Sequence, residues 1–424
     1  MLIQPKKSIK ATVTVPGDKA ISHKALIISA IADGVSEIEG FLINEDSITA
    51  IDCLRKLNVG VELFAKGKVK IYGRGLRGLS NPGKVLNAGN SGTTIRLMMG
   101  MLAGQMFPTI LDADERGRKK NLEITINELR KMGASITGKE NSMNCPLIIR
   151  NSELKATEFN FEKSAVQAKP SILIASLYAN GKTIIKERIK SKDHLERLIE
   201  YMGGNIKRTD KSVEIIGGKG LEGKQIYIPG DITYAAYFIV AGLITDDSEL
   251  VIENVGLNPI RMRYIDKLRE MGADITILEK GDGKGEPYGD IIVKSSKLKG
   301  VNLLEEDVLM MVDEIGVVMV AAALAKGETV INIPKEKLTK LSARIRNMAS
   351  ELAKMGIETT WSEDQITIKG KKELNSAILD SHNDEAIAMA LAVAGLKAND
   401  ETNIRKSQCI DMVYPEFLEQ LRKI

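Results

Sequence analysis

The 424 residues exceed the ~250–300 that one hydrophobic core organises, so the length predicts two domains. Hydrophobic residues at 43% and charged residues at 27% exclude wholesale disorder. A net charge of +4 and 4% aromatics supply neither the basic surface nor the stacking rings of a nucleic-acid binder.

In chain order, the opening MLIQPKKSIKATVTV lacks the apolar stretch of a signal peptide, and Ile9 to Val15 alternates as a strand. Pro16-Gly17-Asp18 then leads into a helix carrying Lys19, His23 and Lys24. Asn90-Ser91-Gly92 opens the small-residue helix TTIRLMMGMLAG, and NLEITINELRKMG follows as an amphipathic helix. KTIIKE and KSVEIIGG read as strands, as do ETVINI and DQITIKG later. Asp313-Glu314 opens IGVVMVAAALA, Ile315 to Ala325. A membrane helix needs ~20 apolar residues, so this run predicts a buried core helix and no membrane span.

The chain repeats itself. Val15-Pro16-Gly17-Asp18 returns as Ile228-Pro229-Gly230-Asp231, with Asp18 and Asp231 213 residues apart. Met-Gly pairs end at Gly133, Gly203, Gly272 and Gly356, at intervals of 70, 69 and 84 residues, and Asn58-Val59-Gly60 takes the equivalent place earlier. Each glycine is placed to end an amphipathic helix. Six units follow, opening near Asp18, Asn90, Ser164, Asp231, Asp313 and Asp384, with the sixth cut short by Ile424. This predicts an N-terminal domain over 15–228 and a second one from 1–14 plus 229–424, completed by the N-terminal strand. Two crossings near Pro16 and Pro229 suit a hinge that closes over a ligand.

The helix openings are rich in Gly, Ser, Thr, Asp and Asn. Such residues cap helices, and helix N-termini also favour anions. Lys19 and Lys24 read as solvated lysines or as anion holders. The glycines from Asn87 to Arg96 read as a tight turn or as close approach to a ligand, without the ending of a Walker loop. Asp112 to Lys120 is a solvated charge run or a mobile anion clamp. Gln167, Lys169 and Ser191-Lys192-Asp193-His194 form a fourth cluster, and Asp313-Glu314 with Lys340, Arg344 and Arg346 a fifth. The three cysteines, Cys53, Cys145 and Cys409, and the three histidines, His23, His194 and His382, are far apart. Neither a disulfide framework nor a local metal motif is expected, which suits a reducing cytoplasm.

With these motifs assembled, the chain resembles the 5-enolpyruvylshikimate-3-phosphate synthase family from about Lys10 to Leu421. The resemblance rests on PGDK-x-x-S-H, NAGNSGTT-x-R, SKDHLERL, PGDI-x-x-AA, NVGLNP-x-R and VDEI. It implies an α/β, two-domain, inside-out barrel-like fold of six βαβαββ units, three per domain. It also implies carboxyvinyl transfer from phosphoenolpyruvate to shikimate 3-phosphate, in the pathway to chorismate and the aromatic amino acids. No cofactor is implied, and a monomer is expected. By matching position, Lys19, Gly92, Arg118, Gln167 and Arg344 would contact phosphoenolpyruvate. Lys24, Thr93, Ser191, Asp313 and Lys340 would contact the phosphorylated cyclitol. Lys19, Asp313 and Arg344 are the catalytic candidates, with Asp313 accepting the proton of the shikimate 5-hydroxyl.

The sequence departs from the family at several of these places. Ala20 and Lys24 stand for a serine and an arginine, Ala165 for a serine, and Leu341 and Ala343 for two acids. Ala386 stands for an arginine that grips the phosphoenolpyruvate carboxylate, and Met412 for a lysine. Each lost charge-assisted bond is worth roughly 1.5–3 kcal/mol. The alternative expectation is therefore a paralogue with another anionic substrate or partial activity, or, further off, a non-catalytic binding protein. Glu385 and Arg346 are the residues placed to compensate.

Overall fold

The computed structural model describes residues 1–162, 165–334 and 339–424. Ser164, read above as the opening of the third repeat, lies outside them. The chain divides into two compact units. One comprises Gly17–Pro229 with Asp282–Glu286, the other Met1–Pro16, Gly230–Gly281 and Pro287–Ile424. Each has its own hydrophobic core.

The internal repeat is written in the hydrogen bonding. Glu158–Phe161 runs parallel to Lys182–Glu187, which pairs antiparallel with Ser212–Ile216, which pairs antiparallel with Asn205–Arg208. Leu86–Asn87, Thr109–Asp112, Leu147–Arg150 and Ser135–Gly138 follow the same plan. So do Gln225–Tyr227, Asp33–Glu39, Lys68–Arg74 and Gly60–Phe64. In the other unit the plan recurs through Asn302–Leu303, Glu328–Asn332, Gln365–Lys369 and Glu358–Trp361. The strand Lys10–Thr14 supplies the parallel partner of Glu249–Gly256. In the sixth sheet Ile378–Asp380 and Thr402–Arg405 are parallel, and Leu2–Ile3 pairs antiparallel where the outer strands of the plan would lie. Among the described residues none of the six sheets closes into a barrel.

Parallel neighbours need a crossover, and where they are consecutive strands of the chain a helical segment supplies it. Gly92–Ala103, Ile232–Ile244, Ile315–Ala323 and Glu385–Gly395 are buried over most or all of their surface. A helix apolar on every side is stable only inside a core, which is why these segments carry so many small residues. At Gly100 an added Cβ would meet the Ser171 carbonyl oxygen at 2.4 Å, so glycine there lets two such helices touch. The helix-ending glycines all adopt positive φ: 96° at Gly133, 86° at Gly203, 95° at Gly272 and 84° at Gly356. In the first repeat the left-handed residue is Asn58, at 67°, and Gly60 instead begins a strand.

Candidate active site

The helix openings are capped by their own side chains. Asp18 accepts from the Ile21 N–H at 2.9 Å, Ser91 from Thr94 at 3.3 Å, and Asp231 from Thr233 at 3.0 Å. These caps take up part of the N–H groups expected above to face an anion. Lys19 is the first residue of the helix Lys19–Ala30, and its ammonium lies 2.8 Å from Asp46. One turn on, the buried His23 ring is pushed down to about 4, chiefly by burial. It is therefore neutral at pH 7, with Nδ1–H donating to the Lys19 carbonyl at 3.0 Å.

Within the Gly17–Pro229 unit a cavity of about 240 Å³ brings four of the expected site residues together: Lys24, Thr93, Gln167 and Ser191. Arg96, Lys169 and Lys192 also line it, and Ala20 stands at its wall. The described lining thus holds four cations and no carboxylate, a field suited to a small multiply charged anion. Burial pushes the Lys24 ammonium down to about 8. Asp18, Glu196 and Glu286 act against that fall and Lys192 adds to it.

Sequence reading placed Arg96 and Lys192 inside candidate clusters but assigned neither a ligand. Arg96 lies three residues after Thr93 and so shares its helix face. Lys192 adjoins Ser191. Arg96 ties the cavity wall together by donating to the Gly92 carbonyl at 3.1 Å, the Asn121 carbonyl at 2.8 Å and Gln167 Oε1 at 3.1 Å. A Cβ at Gly92 would meet that guanidinium at 2.9 Å, so the glycine leaves it room. Lys19, Gly92 and Arg118 do not line this cavity. Arg118 ends the short helix Glu115–Arg118 and is held bidentately by Asp112, at 2.9 and 2.6 Å.

The other unit carries Asp313, Lys340 and Arg344. Arg344 is almost fully buried. It donates to both oxygens of Asp384 at 3.1 Å and to the Val312 carbonyl at 2.9 Å, and its NH1 lies 4.0 Å from Asp313. Lys340 is exposed, one turn before Arg344 on the helix Thr339–Lys354. Three of the sequence motifs meet nearby in a buried cluster. Arg261 donates to Asp231 at 3.2 Å and to Thr233 at 2.5 Å, and Thr233 donates to Glu314.

Residues 3–421 match the family model of EPSP synthase, 3-phosphoshikimate 1-carboxyvinyltransferase. The chain belongs to this family. It is 42% identical to the 3-phosphoshikimate 1-carboxyvinyltransferase of Alkaliphilus metalliredigens, with 100% of both chains covered. To the protein of that name from Petrotoga mobilis it is 39% identical, covering 100% of this chain and 98% of the other. The solved EPSP synthase of Acinetobacter baumannii superposes with a TM-score of 0.93 at 35% identity, covering 100% of this chain and 97% of that one. Relatives matched end to end under a single name do not favour the paralogue alternative.

Several departures from the EPSP synthase pattern are absorbed by local packing. Leu341 is 3% exposed and belongs to the core with Ile345 and Met348. Ala343 faces outward. Arg346, considered above as a substitute cation, is also exposed. Two residues along a helix is about 200°, which puts it opposite Arg344. Ala386 is buried, and its N–H is taken by Asp384 at 2.9 Å. Glu385, the other residue considered, is half-buried in the first turn of the same helix.

Proposed function

We propose that this EPSP synthase family member transfers the carboxyvinyl group of phosphoenolpyruvate to the 5-hydroxyl of shikimate 3-phosphate and releases phosphate, on the route to chorismate. The observation that carries the reading is the cation-lined cavity of Lys24, Thr93, Gln167 and Ser191 in a chain that matches the family from residue 3 to residue 421. The two compact units are its two domains. Lys24, Thr93, Ser191, Asp313 and Lys340 hold the phosphorylated cyclitol. Lys19, Gly92, Arg118, Gln167 and Arg344 hold phosphoenolpyruvate.

In this scheme Asp313 takes the proton of the 5-hydroxyl as its oxygen bonds to C2 of phosphoenolpyruvate. The methylene carbon gains a proton from Lys19 and becomes a methyl group. Loss of a methyl proton back to Lys19 then re-forms the double bond as the C2–O bond to phosphate breaks. The cations about the site stabilise charge as it moves onto the leaving phosphate. The same reading makes the protein a cytoplasmic monomer, and a reducing compartment suits its three cysteines, all free thiols.

A phosphate-release assay with phosphoenolpyruvate and shikimate 3-phosphate tests the reading. Release that requires both substrates supports it. No release at millimolar concentrations of both overturns it.

A further inference from the structure

The serine of the cavity wall has its only proton committed. Ser191 Oγ donates to Glu187 Oε1, so it presents lone pairs alone to a ligand. A phosphate dianion or a carboxylate has no proton to offer those lone pairs. To hold such a group, the hydroxyl has to turn away from Glu187. The Glu187 carboxylate, 5% exposed, then needs another partner.

Lys169 is placed to be that partner. Its ammonium is 2.9 Å from Glu187 Oε2 and 2.7 Å from Glu196 Oε1, and it donates to the Ser191 carbonyl at 3.2 Å. The side chain is 2% exposed. Burial works against its charge, but the two carboxylates outweigh burial and hold it above the usual lysine value. Lys169 thus grips Ser191 twice, directly at the backbone and through Glu187 at the hydroxyl.

We propose that Lys169 is a positioning residue for the acceptor: it satisfies Glu187 whether or not Ser191 does, and so lets the Ser191 hydroxyl swing to an anionic group of the acceptor. The proposal rests on the functional reading above and deepens it. A hydrogen bond changes direction and no covalent bond is made or broken.

The test is calorimetry with shikimate 3-phosphate on the unmodified protein and on K169M, E187Q, K169M/E187Q, S191A and K169M/S191A, with steady-state KM values for both substrates. In K169M, Glu187 keeps Ser191 alone as its side-chain partner among the described residues, and acceptor affinity should fall about tenfold while the phosphoenolpyruvate KM stays within twofold. Removing the competing carboxylate should restore affinity in K169M/E187Q to within about threefold. In the S191A background K169M should add nothing, because Lys169 acts through that hydroxyl. A lysine of purely structural value would raise both KM values together and would not be rescued by E187Q.

K169M leaves two buried carboxylates without their cation. If it does not fold, E187Q against K169M/E187Q decides. Equal acceptor affinities support the proposal, and weaker binding by the double variant overturns it. If shikimate 3-phosphate does not bind the unmodified protein, the functional reading fails and this proposal with it. If it binds the unmodified protein and K169M equally, the proposal alone fails.

Discussion

Arg344 and Asp384 meet through two parallel bonds, Nε to Oδ2 and NH2 to Oδ1, each 3.1 Å long. The same carboxylate caps the helix Glu385–Gly395 by accepting from the Ala386 and Ile387 N–H groups. A single acid therefore sets the direction of a buried guanidinium and starts a core helix. Removing one partner of a buried pair costs about 3–5 kcal/mol, because the other charge is left unpaired. Asp384→Ala should lose that much in urea denaturation, with Asp384→Asn, which keeps an accepting oxygen, losing less. Equal losses would show that the charge carries the whole pair and the retained oxygen contributes nothing.

Lys24 makes binding and stability respond to pH in opposite directions. Burial lowers its ammonium to about 8 from an ordinary value of 10.5. Between those values the unfolded chain binds the proton and the folded chain does not, so this group's contribution to stability rises as pH rises from 8 to 10.5. The cavity loses a positive charge over the same range, so the acceptor KM should climb above pH 8. Lys24→Arg keeps its charge throughout and should flatten the KM profile up to pH 9.5. A KM in the unmodified protein that is level from pH 7 to 9.5 would show that Lys24 does not hold the anion.

Lys19 should separate catalysis from stability. Its ion pair with Asp46 is partly exposed, and such pairs contribute about 0–1 kcal/mol. Lys19→Met should therefore melt within a few degrees of the unmodified protein. Its turnover should fall at least about 100-fold, the low end for loss of a proton-transfer group. Retained turnover in a folded K19M would remove Lys19 from the chemistry.

Leu341 tests whether a departure from the family pattern is a matter of packing. Placing glutamate there buries a carboxylate in the core and deletes an apolar side chain. Leu341→Glu should cost at least about 2 kcal/mol. Thermal melting checks it, and phosphate release should not improve. Improved release with an unchanged melting temperature would mean that position 341 still faces substrate.

The periodic features could be read directly from residue order, because their causes are local. Small apolar runs become core helices. Glycine after methionine takes the left-handed turn that ends a helix, and Asp18, Ser91 and Asp231 cap the openings they precede. The motifs also named most of the cavity wall, since Lys24, Thr93 and Gln167 each follow shortly after a repeat opening and Ser191 opens the Ser191-Lys192-Asp193-His194 motif. The first repeat shows the limit even of local rules, for Asn58 rather than Gly60 makes the left-handed turn.

What only the tertiary structure decided is which charges meet. Asp46, 27 positions after Lys19, is the carboxylate against it, and Asp384 comes 40 positions after Arg344 to hold it. Glu187, Ser191 and Glu196, from one strand–loop–helix stretch, close on Lys169, which begins a different helix. Side-chain direction is likewise a tertiary outcome: one helix turns Leu341 and Arg344 inward and Ala343 and Arg346 outward, according to which face meets the core. A buried cation is stable only where folded segments bring it carboxylates and carbonyls, and nothing in its own stretch of sequence supplies them. Residue order by itself determined the six repeats and the candidate site residues. The partners, burial and charge of those residues follow from long-range packing.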